Sequence, residues 1–332
     1  MSTTNTATAA AATDVNGWQV TLVGAGVIGA GWAGRCLAAG CDVVVSDPSQ
    51  DAYERLVATV KQAWPILEKR GLAAGASLQR LSYEADVAKA VADADFIQES
   101  APEREDLKSK ILADVDAAAP MDTIIASSTS GILPTNLQAD CVHAERVIVA
   151  HPFNPVYLLP LVELVGGEQT DAANIKRAQA FYKGLGMRPM VVRREIEGFI
   201  ADRLLEALWR EGLHLVNDGV ATTEEVDAAV TYGAGLRWAQ MGTFFTYHLA
   251  GGEAGMRHML EQFGPALKLP WTKLEAPELT DELIDRVVEG CEHQAAGRSI
   301  DELMARRDEF LSRLLDLVSE YWPENEGLEG RI

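Results

Sequence analysis

The chain has 332 residues and a formal net charge of -20, and its length exceeds that of one ordinary domain, so we expect two domains. The negative charge disfavours nucleic acids and anionic membranes as partners, because the long-range field of the protein repels them. The four cysteines, Cys36, Cys41, Cys141 and Cys291, show no metal-ligand spacing. We therefore expect reduced thiols, no bound metal and a soluble, cytoplasmic protein.

The first half of the chain alternates short apolar runs with helical segments. Strands are predicted at Val20–Val23, Val43–Val45, 95–98, 122–126, 146–150 and 161–165, with helices at 51–70 and 104–117. This alternation is typical of a doubly wound, mostly parallel sheet of the Rossmann type. From Ile200 to Tyr321 the pattern is helical, with breaks at 219, 233–235, 251–252, 264–265 and 277. The predicted fold class is α/β, an N-terminal Rossmann domain followed by an all-α C-terminal domain.

A glycine-rich turn follows the first predicted strand. Gly24, Gly26 and Gly29 form the pattern GxGxxG at the start of a helix, and Asp47 ends the next strand, 23 residues after Gly24. This context predicts a dinucleotide site, in which the backbone approaches the pyrophosphate and Asp47 accepts hydrogen bonds from the adenosine ribose. The Asp47 carboxylate would repel a 2′-phosphate, so NAD is favoured over NADP. A glycine-rich helix start that binds nothing is the alternative.

His151 and Glu163 are titratable residues in an otherwise apolar segment, HPFNPVYLLPLVELV. His151 comes at the end of a predicted strand, at the sheet edge where ligands bind in such folds. Imidazole is a suitable base for the hydroxyl proton of an alcohol, and a carboxylate can orient it and stabilise the imidazolium. The alternative is a capping histidine with an outward-facing strand glutamate, and spacing alone does not decide between the two.

Four motifs together resemble the L-3-hydroxyacyl-CoA dehydrogenase superfamily: GAGVIGAGWA, SSTSGI, HPFNPVYLLPLVELV and GFIADRLL. The resemblance extends from about Trp18 to Met259. It implies a Rossmann domain followed by a helical domain that also forms a homodimer. It further implies that His151 is the general base in oxidation, that Glu163 is its partner, and that Ser130 hydrogen-bonds the substrate oxygen.

The resemblance also indicates which residues contact the cofactor and the substrate. Beside the three glycines, cofactor contacts are expected at Val27, Ile28, Asp47, Glu103, Lys108, Ser128 and Asn154. Candidate walls of the substrate pocket are Phe153, Gly198, Ile200 and Ala201, where small residues leave room for a short branched substrate.

The substrate side departs from the CoA-using members, which carry asparagine where this chain has Asp202. An additional carboxylate near the reacting centre favours a cationic neighbour, and a helix-start acid stabilised by the helix dipole is the equal alternative. The segment VKQAWPILEKRGLAAGASLQRL lacks the lysine-rich character that would hold the nucleotide end of CoA. Arg237 is a candidate for a substrate carboxylate, and Trp238 and Phe245 for a quaternary ammonium, with core packing as the alternative for the aromatic residues.

We therefore predict an NAD-dependent dehydrogenase that oxidises the 3-hydroxyl of a small hydroxy acid carrying a quaternary ammonium group. Two alternatives share this chemistry, a 3-hydroxybutyryl-CoA dehydrogenase and an L-gulonate 3-dehydrogenase. A non-catalytic, crystallin-like NAD-binding protein is the alternative of another class, and the joint presence of Ser130, His151 and Glu163 argues against it. The expected segments are a disordered N-terminus (1–15), an NAD-binding domain (16–197), a helical substrate and dimerisation domain (198–322) and a loose tail (323–332).

Overall fold

The computed structural model describes residues 11–273, 278, 280–285, 288 and 295–321. The described part of the chain divides into two compact units, and the first extends to Asp202 while the second begins at Arg203. The predicted domain boundary at Glu197–Gly198 precedes this division by a few residues and stays a prediction.

The described part of the N-terminal segment is held against the first unit. The amide of Thr13 donates to the carbonyl of Ala180 at 3.0 Å, and Val15 is buried. Residues 13–15, at the end of the predicted disordered segment, thus contact the first unit, and disorder over 1–15 stays a prediction. Residues 1–10 and the tail from residue 322 lie outside the described residues.

The first unit is built on one sheet, in which the described residues form eight strands. Along the sheet the strands are β3 (Leu81–Tyr83), β2 (Asp42–Ser46), β1 (Gln19–Val23), β4 (Phe96–Glu99), β5 (Ile124–Ser127), β6 (Val147–Pro152), β7 (Leu161–Gly166) and β8 (Arg188–Val192). Neighbouring strands are parallel except β6 and β7, which are antiparallel. The order of the strands reverses between β1 and β4, and dinucleotides bind at such a switch point.

Two apolar cores lie against the two faces of this sheet. The helices of the first unit are α1 (Val27–Ala38), α2 (Gln50–Arg70), α3 (Val87–Val91), α4 (Glu105–Ala118), α5 (Pro134–Leu137) and α6 (Ala172–Gly184). Side chains of α1, α2 and α6 pack in one core, and side chains of α3, α4 and α5 in the other. Phe96 and Ile97 belong to different cores, because successive strand residues point to opposite faces.

The predicted α/β class is confirmed, and five short or late elements of the first unit were missed. These are β3, α3, α5, α6 and β8. The strand predicted at 146–150 is also longer, since β6 continues to Pro152. His151 therefore lies within the strand and has a partner directly opposite on β7.

The second unit is helical, as predicted. Among the described residues its helices include α7 (Ala201–Asn217, which begins at the end of the first unit), α8 (Thr223–Ala229), α9 (Gly235–Ala250), α10 (Gly255–Phe263) and α11 (Ile300–Tyr321). Gly219 has a φ of +67° just after α7, a conformation that glycine adopts without strain, and this confirms the predicted break there. The breaks at 251–252 and 264–265 are also confirmed, since α9 and α10 end just before them.

The break predicted at 233–235 is also confirmed. Gly233 has non-helical backbone angles, with φ of -113° and ψ of -107°, and it marks a kink within the π-helical segment Val230–Ala234 that precedes α9. The break predicted at 277 lies outside the described residues. Across the described part of the chain, no helix has the length and apolar character that crossing a bilayer would require.

Candidate active site

The turn between β1 and α1 leaves room for a ligand at the backbone. Gly24 has a φ of +108°, and a Cβ there would lie 2.7 Å from the carbonyl carbon and oxygen of Ser100. A Cβ added at Gly26 would meet nothing within 4 Å. No side chain caps the start of α1, and its first turn contains no acidic residue. The backbone N–H groups of this turn, which include those of Val27 and Ile28, therefore fit the pyrophosphate of a dinucleotide.

Asp47 directly follows β2 and lies beside the same turn. Its Oδ2 accepts a hydrogen bond from the amide of Ala25 at 2.8 Å, and its Oδ1 accepts from the amide of Ser49 at 2.9 Å. Asp47 is partly exposed, and each carboxylate oxygen has a second lone pair that can accept from a ribose hydroxyl. A Cβ at Gly29 would lie 2.1 Å from the carbonyl oxygen of Gly24, so only glycine lets α1 pack this close to the turn. These residues fit NAD.

A buried ion-pair network lies at the ends of β4 and β5. The Nζ atom of Lys108 is 2.8 Å from Glu99 Oε1 and 3.6 Å from Glu103 Oε2, and the Lys108 side chain is 1% exposed. Ser127 Oγ donates to Glu99 Oε2 at 2.5 Å. The Oε1 atom of Glu103 accepts from the amide of Ser130 at 2.9 Å, and the Thr129 hydroxyl donates to the same oxygen. Glu103 and Lys108 were predicted beside the cofactor, and here they join the turn that carries Ser130.

Sequence reasoning missed Glu99, although it holds this network together. It lies at the end of β4 and is fully buried. A buried carboxylate requires paired donors, and Glu99 has those of Lys108, Ser127 and the Ala101 amide. A charged residue that ends an apolar strand, nine positions before a lysine, is the signal that could have identified it.

His151 and Glu163 face each other across the antiparallel pair β6–β7. Side chains at directly opposite positions lie on the same face of a sheet, and this explains their contact. The Nδ1 atom of His151 is 2.9 Å from Glu163 Oε2, and both residues are buried. The other oxygen, Oε1, accepts from the amides of Ile200 and Ala201 at 2.9 and 3.0 Å. The carboxylate is therefore fixed on both sides, and it holds the Nδ1–H tautomer of the imidazole.

Asp202 and two aromatic rings surround the rest of the imidazole. Asp202 Oδ2 is 3.6 Å from Nε2 of His151, and its side chain is 22% exposed. The ring of Phe153 lies 4.8 Å from the imidazole between centroids, and the ring of Phe199, which sequence reasoning missed, lies 5.6 Å away. Phe199 follows Gly198, and both have positive φ values of 46° and 69°. The structure thus brings together Phe153, Gly198, Ile200, Ala201 and Asp202 around His151 and Glu163.

Three other predicted site residues, Ser130, Asn154 and Ser128, differ in exposure and in hydrogen bonding. Ser130 is exposed, and the described residues offer its hydroxyl no hydrogen-bond partner. Its neighbour Gly131 approaches Gly198, since a Cβ at Gly131 would lie 3.5 Å from the Gly198 amide. Asn154 is exposed after β6. Ser128 is more enclosed, with a hydroxyl that already has three protein partners.

Arg237, Trp238 and Phe245 belong to the second unit, on α9. The side chains of Trp238 and Phe245 are 40% and 42% exposed, so neither is a core residue of that unit. The ring of Phe245 stacks on His248, with centroids 5.8 Å apart. Their contact with a substrate stays a prediction.

Comparison with protein families identifies both halves of the chain. A model of the 3-hydroxyacyl-CoA dehydrogenase NAD-binding domain matches residues 19–196. A model of the 3-hydroxyacyl-CoA dehydrogenase C-terminal domain matches residues 198–304. The chain belongs to the 3-hydroxyacyl-CoA dehydrogenase family. NAD is accordingly the cofactor of this chain. Its binding by the glycine-rich turn and Asp47, whose geometry fits it, stays a prediction.

Several members of the family are similar over nearly the whole chain. The L-carnitine dehydrogenase of Bacillus cereus is 62% identical and covers 95% of this chain and 96% of its own length. The L-carnitine dehydrogenase of Pseudomonas aeruginosa is 60% identical and covers 90% and 93%. Among solved structures, 5-formyl-3-hydroxy-2-methylpyridine 4-carboxylic acid 5-dehydrogenase, an NAD+ dependent dismutase, has a TM-score of 0.76 at 25% identity, covering 91% and 99%.

These relatives bear on the sequence-based prediction of activity. Within the superfamily, the segments HPFNPVYLLPLVELVGG and GFIADRLLEALWREGLHLVNDG most closely resemble L-carnitine dehydrogenase, and the two relatives confirm this resemblance. The family member described here is therefore an NAD-dependent dehydrogenase of 3-hydroxy acids.

Proposed function

We propose that this dehydrogenase oxidises the 3-hydroxyl of L-carnitine to 3-dehydrocarnitine, with His151 and Glu163 as the general-base pair. The observation that carries the proposal is the contact of 2.9 Å between His151 Nδ1 and Glu163 Oε2, with a second carboxylate, Asp202, on the other side of the ring. The identity of 62% to an enzyme named L-carnitine dehydrogenase supports the choice of substrate.

A side chain of the protein has to accept the hydroxyl proton of the substrate when the hydride is transferred to NAD. Oxidation of an alcohol removes a hydride from the carbon and a proton from the oxygen, and bound NAD supplies the hydride acceptor. Because Glu163 accepts from Nδ1–H, the lone pair of Nε2 is free to take the hydroxyl proton. Ser130 donates a hydrogen bond to the same substrate oxygen and orients it toward the imidazole. The nearby carboxylate of Glu163 then stabilises the imidazolium that forms.

Asp202 favours a substrate with a positive charge. Carnitine carries a trimethylammonium group two bonds from the reacting carbon. The Asp202 carboxylate, which lies beside the imidazole of His151, would attract this positive charge. A CoA ester brings several negative charges, and the helix α2 offers them only Lys61, Lys69, Arg55 and Arg70 among three acidic side chains. L-gulonate has no cationic group for Asp202 to attract. These charges favour carnitine over both alternatives.

The carboxylate end and the aromatic contacts of carnitine are assigned to the second unit. We propose that Arg237 binds the carboxylate with two parallel hydrogen bonds and that Trp238 and Phe245 offer ring faces to the trimethylammonium group. The exposure of all three side chains supports this assignment, since each is accessible to a ligand. Phe153 contributes a further ring beside the imidazole.

A substrate panel tests the proposal. NADH absorbance is followed with L-carnitine, D-carnitine, 3-hydroxybutyryl-CoA and L-gulonate, and we expect rapid turnover with L-carnitine alone. Turnover confined to the CoA ester would overturn the choice of substrate. Absence of turnover with all four compounds, in protein that binds NADH, would support the non-catalytic alternative.

The same NADH assay, with one further compound, tests the role of Asp202. The Asp202→Asn variant should raise the KM for L-carnitine about tenfold, because one favourable charge is lost near the cation. The KM for 3-hydroxy-5,5-dimethylhexanoate, in which a neutral tert-butyl group replaces the trimethylammonium group, should not rise. Glu206→Gln, which removes an exposed charge on α7, is the matched control. An equal KM for L-carnitine, with a lower melting temperature, would instead assign Asp202 to helix stabilisation alone.

A further inference from the structure

A chain of hydrogen bonds leads from the core of the first unit to the switch point of the sheet. The hydroxyl of Tyr182 donates to Gln98 Oε1 at 2.5 Å, and Gln98 Nε2 donates to Ser128 Oγ at 2.8 Å. Trp32 Nε1 donates to the same Ser128 oxygen at 3.0 Å. The last contact joins Ser128 Oγ to Ser100 Oγ at 2.9 Å.

The orientation of the Gln98 amide follows from its buried neighbour. Tyr182 is fully buried, and burial raises the pKa of its hydroxyl well above the usual range, so it is a neutral donor. Within the described part of the chain, the Tyr182 hydroxyl donates its proton to Gln98 Oε1. A flipped amide would leave the Tyr182 proton without an acceptor in the core, which is costly. The amide nitrogen of Gln98 therefore points to Ser128.

The direction of the last hydrogen bond then follows from counting lone pairs. A serine hydroxyl accepts two hydrogen bonds and donates one. Both lone pairs of Ser128 are used by Trp32 and Gln98, whose nitrogens can only donate. Ser128 must therefore donate its proton to Ser100. The proton of Ser100 then has no acceptor within the described part of the chain.

Ser100 lies where a dinucleotide has to pass. It directly follows β4 and is partly exposed. Its amide donates to the carbonyl of Val23 at 2.7 Å, and its own carbonyl lies against Gly24. It therefore borders the crevice between the carboxyl ends of β1 and β4, at the switch point.

We propose that the Ser100 hydroxyl donates a hydrogen bond to a phosphate or ribose oxygen of bound NAD, and that Ser128 orients this hydroxyl. The family resemblance places Ser128 itself at the cofactor, but its hydroxyl is saturated by protein groups. Ser128 thereby acts as a positioning residue, and the direct contact belongs to Ser100. This proposal depends on the family cofactor and not on the identity of the substrate.

The first test measures cofactor binding without turnover. Ser100→Ala in the full-length protein should weaken NADH binding about tenfold in a fluorescence titration, since one donor to a charged or strongly polar oxygen is lost. Its melting temperature should stay within about 2 °C of the unmodified protein. Ser100→Thr keeps the hydroxyl and should bind NADH within about threefold of the unmodified protein. Ser82→Ala is the control, because Ser82 donates only to Val43 on the outer strands.

The second test uses Ser128 to separate positioning from packing. Ser128→Ala leaves the donors of Trp32 and Gln98 without their acceptor, so it should lower both the melting temperature and the affinity for NADH. The double variant Ser128→Ala/Ser100→Ala should bind NADH less than tenfold more weakly than Ser128→Ala alone. The reason is that the Ser100 hydroxyl is no longer oriented once Ser128 is replaced. Unchanged NADH affinity in Ser100→Ala, or full additivity of the two substitutions, would overturn the proposal.

Discussion

The imidazole of His151 contacts the carboxylate of Glu163, whose orientation is fixed by hydrogen bonds to both of its oxygens. Glu163 accepts from two backbone amides through one oxygen and from the imidazole through the other. Because both residues are buried, these contacts are little weakened by solvent. Such an arrangement sets the tautomer of the ring before a substrate binds.

Substitution of this pair tests its role in catalysis. His151→Ala should lower kcat about a thousandfold, which is typical for removal of a general base, and leave NADH affinity within about twofold. Glu163→Gln keeps the shape and an acceptor for the amides of Ile200 and Ala201, so it should lower kcat less, by about a hundredfold. Stopped-flow turnover and NADH titration measure both effects. Near-normal kcat in a folded His151→Ala protein would exclude the general-base role.

The sequence indicated some of these residues and not others, for physical reasons. The histidine and the glutamate stood out because each interrupts an apolar strand, but their register across β6 and β7 depends on the loop between the strands. Ser100 gave no such signal, since a polar residue commonly follows a strand, and Glu99 was marked only by its charge at the end of an apolar strand, nine positions before Lys108. Their importance appears only when Lys108 and Ser128 fold against them.

At the scale of elements, the long and periodic segments were predictable and the short ones were not. Strands β1 and β2 are β-branched runs bounded by glycine and aspartate, and both were placed within a residue or two. Strand β3 has three residues and α3 has five, too few for a periodic pattern to emerge. Tertiary pairing with the neighbouring strand fixes β3 in the sheet.

Helix α1 offers a matched pair of glycines for testing the cofactor turn. A Cβ at Gly29 would lie 2.1 Å from the Gly24 carbonyl, whereas at Gly34 the nearest atoms are 3.5 Å away. Gly29→Ala should therefore destabilise the protein by about 1–3 kcal/mol and weaken NADH binding. Gly34→Ala should be neutral or stabilise it by up to about 1 kcal/mol, because alanine favours a helix.

Urea denaturation and NADH titration measure these effects on the two variants side by side. Equal behaviour of the two substitutions would show that the close packing of α1 on the turn does not govern cofactor binding.

At the scale of the whole molecule, the division into a sheet-based and a helical unit followed from the change of periodicity alone. The boundary at Glu197–Gly198 stays a prediction, and α7 begins at Ala201 and belongs to the first unit until Asp202. A helix that crosses a boundary gives no break in its pattern.

Helix α7 presents an apolar stripe that a monomer would leave in water. Leu204, Leu205, Leu208 and Trp209 are 64%, 56%, 42% and 53% exposed. Their spacing places them on one face of the helix, and exposed stripes of this kind mark interaction surfaces. We propose that a second copy of the chain covers this face, as the family resemblance implies for the helical domain.

Sedimentation equilibrium tests this proposal. The protein should sediment as a homodimer, and Trp209→Glu should shift it toward the monomer, because a charge would be buried at the interface. Glu206→Ala on the same helix should leave the assembly unchanged. A monomer at all concentrations, with full activity, would contradict the homodimer.

The two hydrogen bonds of Asp47 have a consequence for redesign of the coenzyme. The same carboxylate that is predicted to bind the adenosine ribose also anchors the amide of Ala25 within the glycine-rich turn. Replacing Asp47 with a basic side chain, to admit the 2′-phosphate of NADP, would also remove the acceptor of the Ala25 amide. The glycine-rich turn would then lose this hydrogen bond together with its preference for NAD. A switch to NADP therefore demands a substitute acceptor for Ala25 beside any new cation.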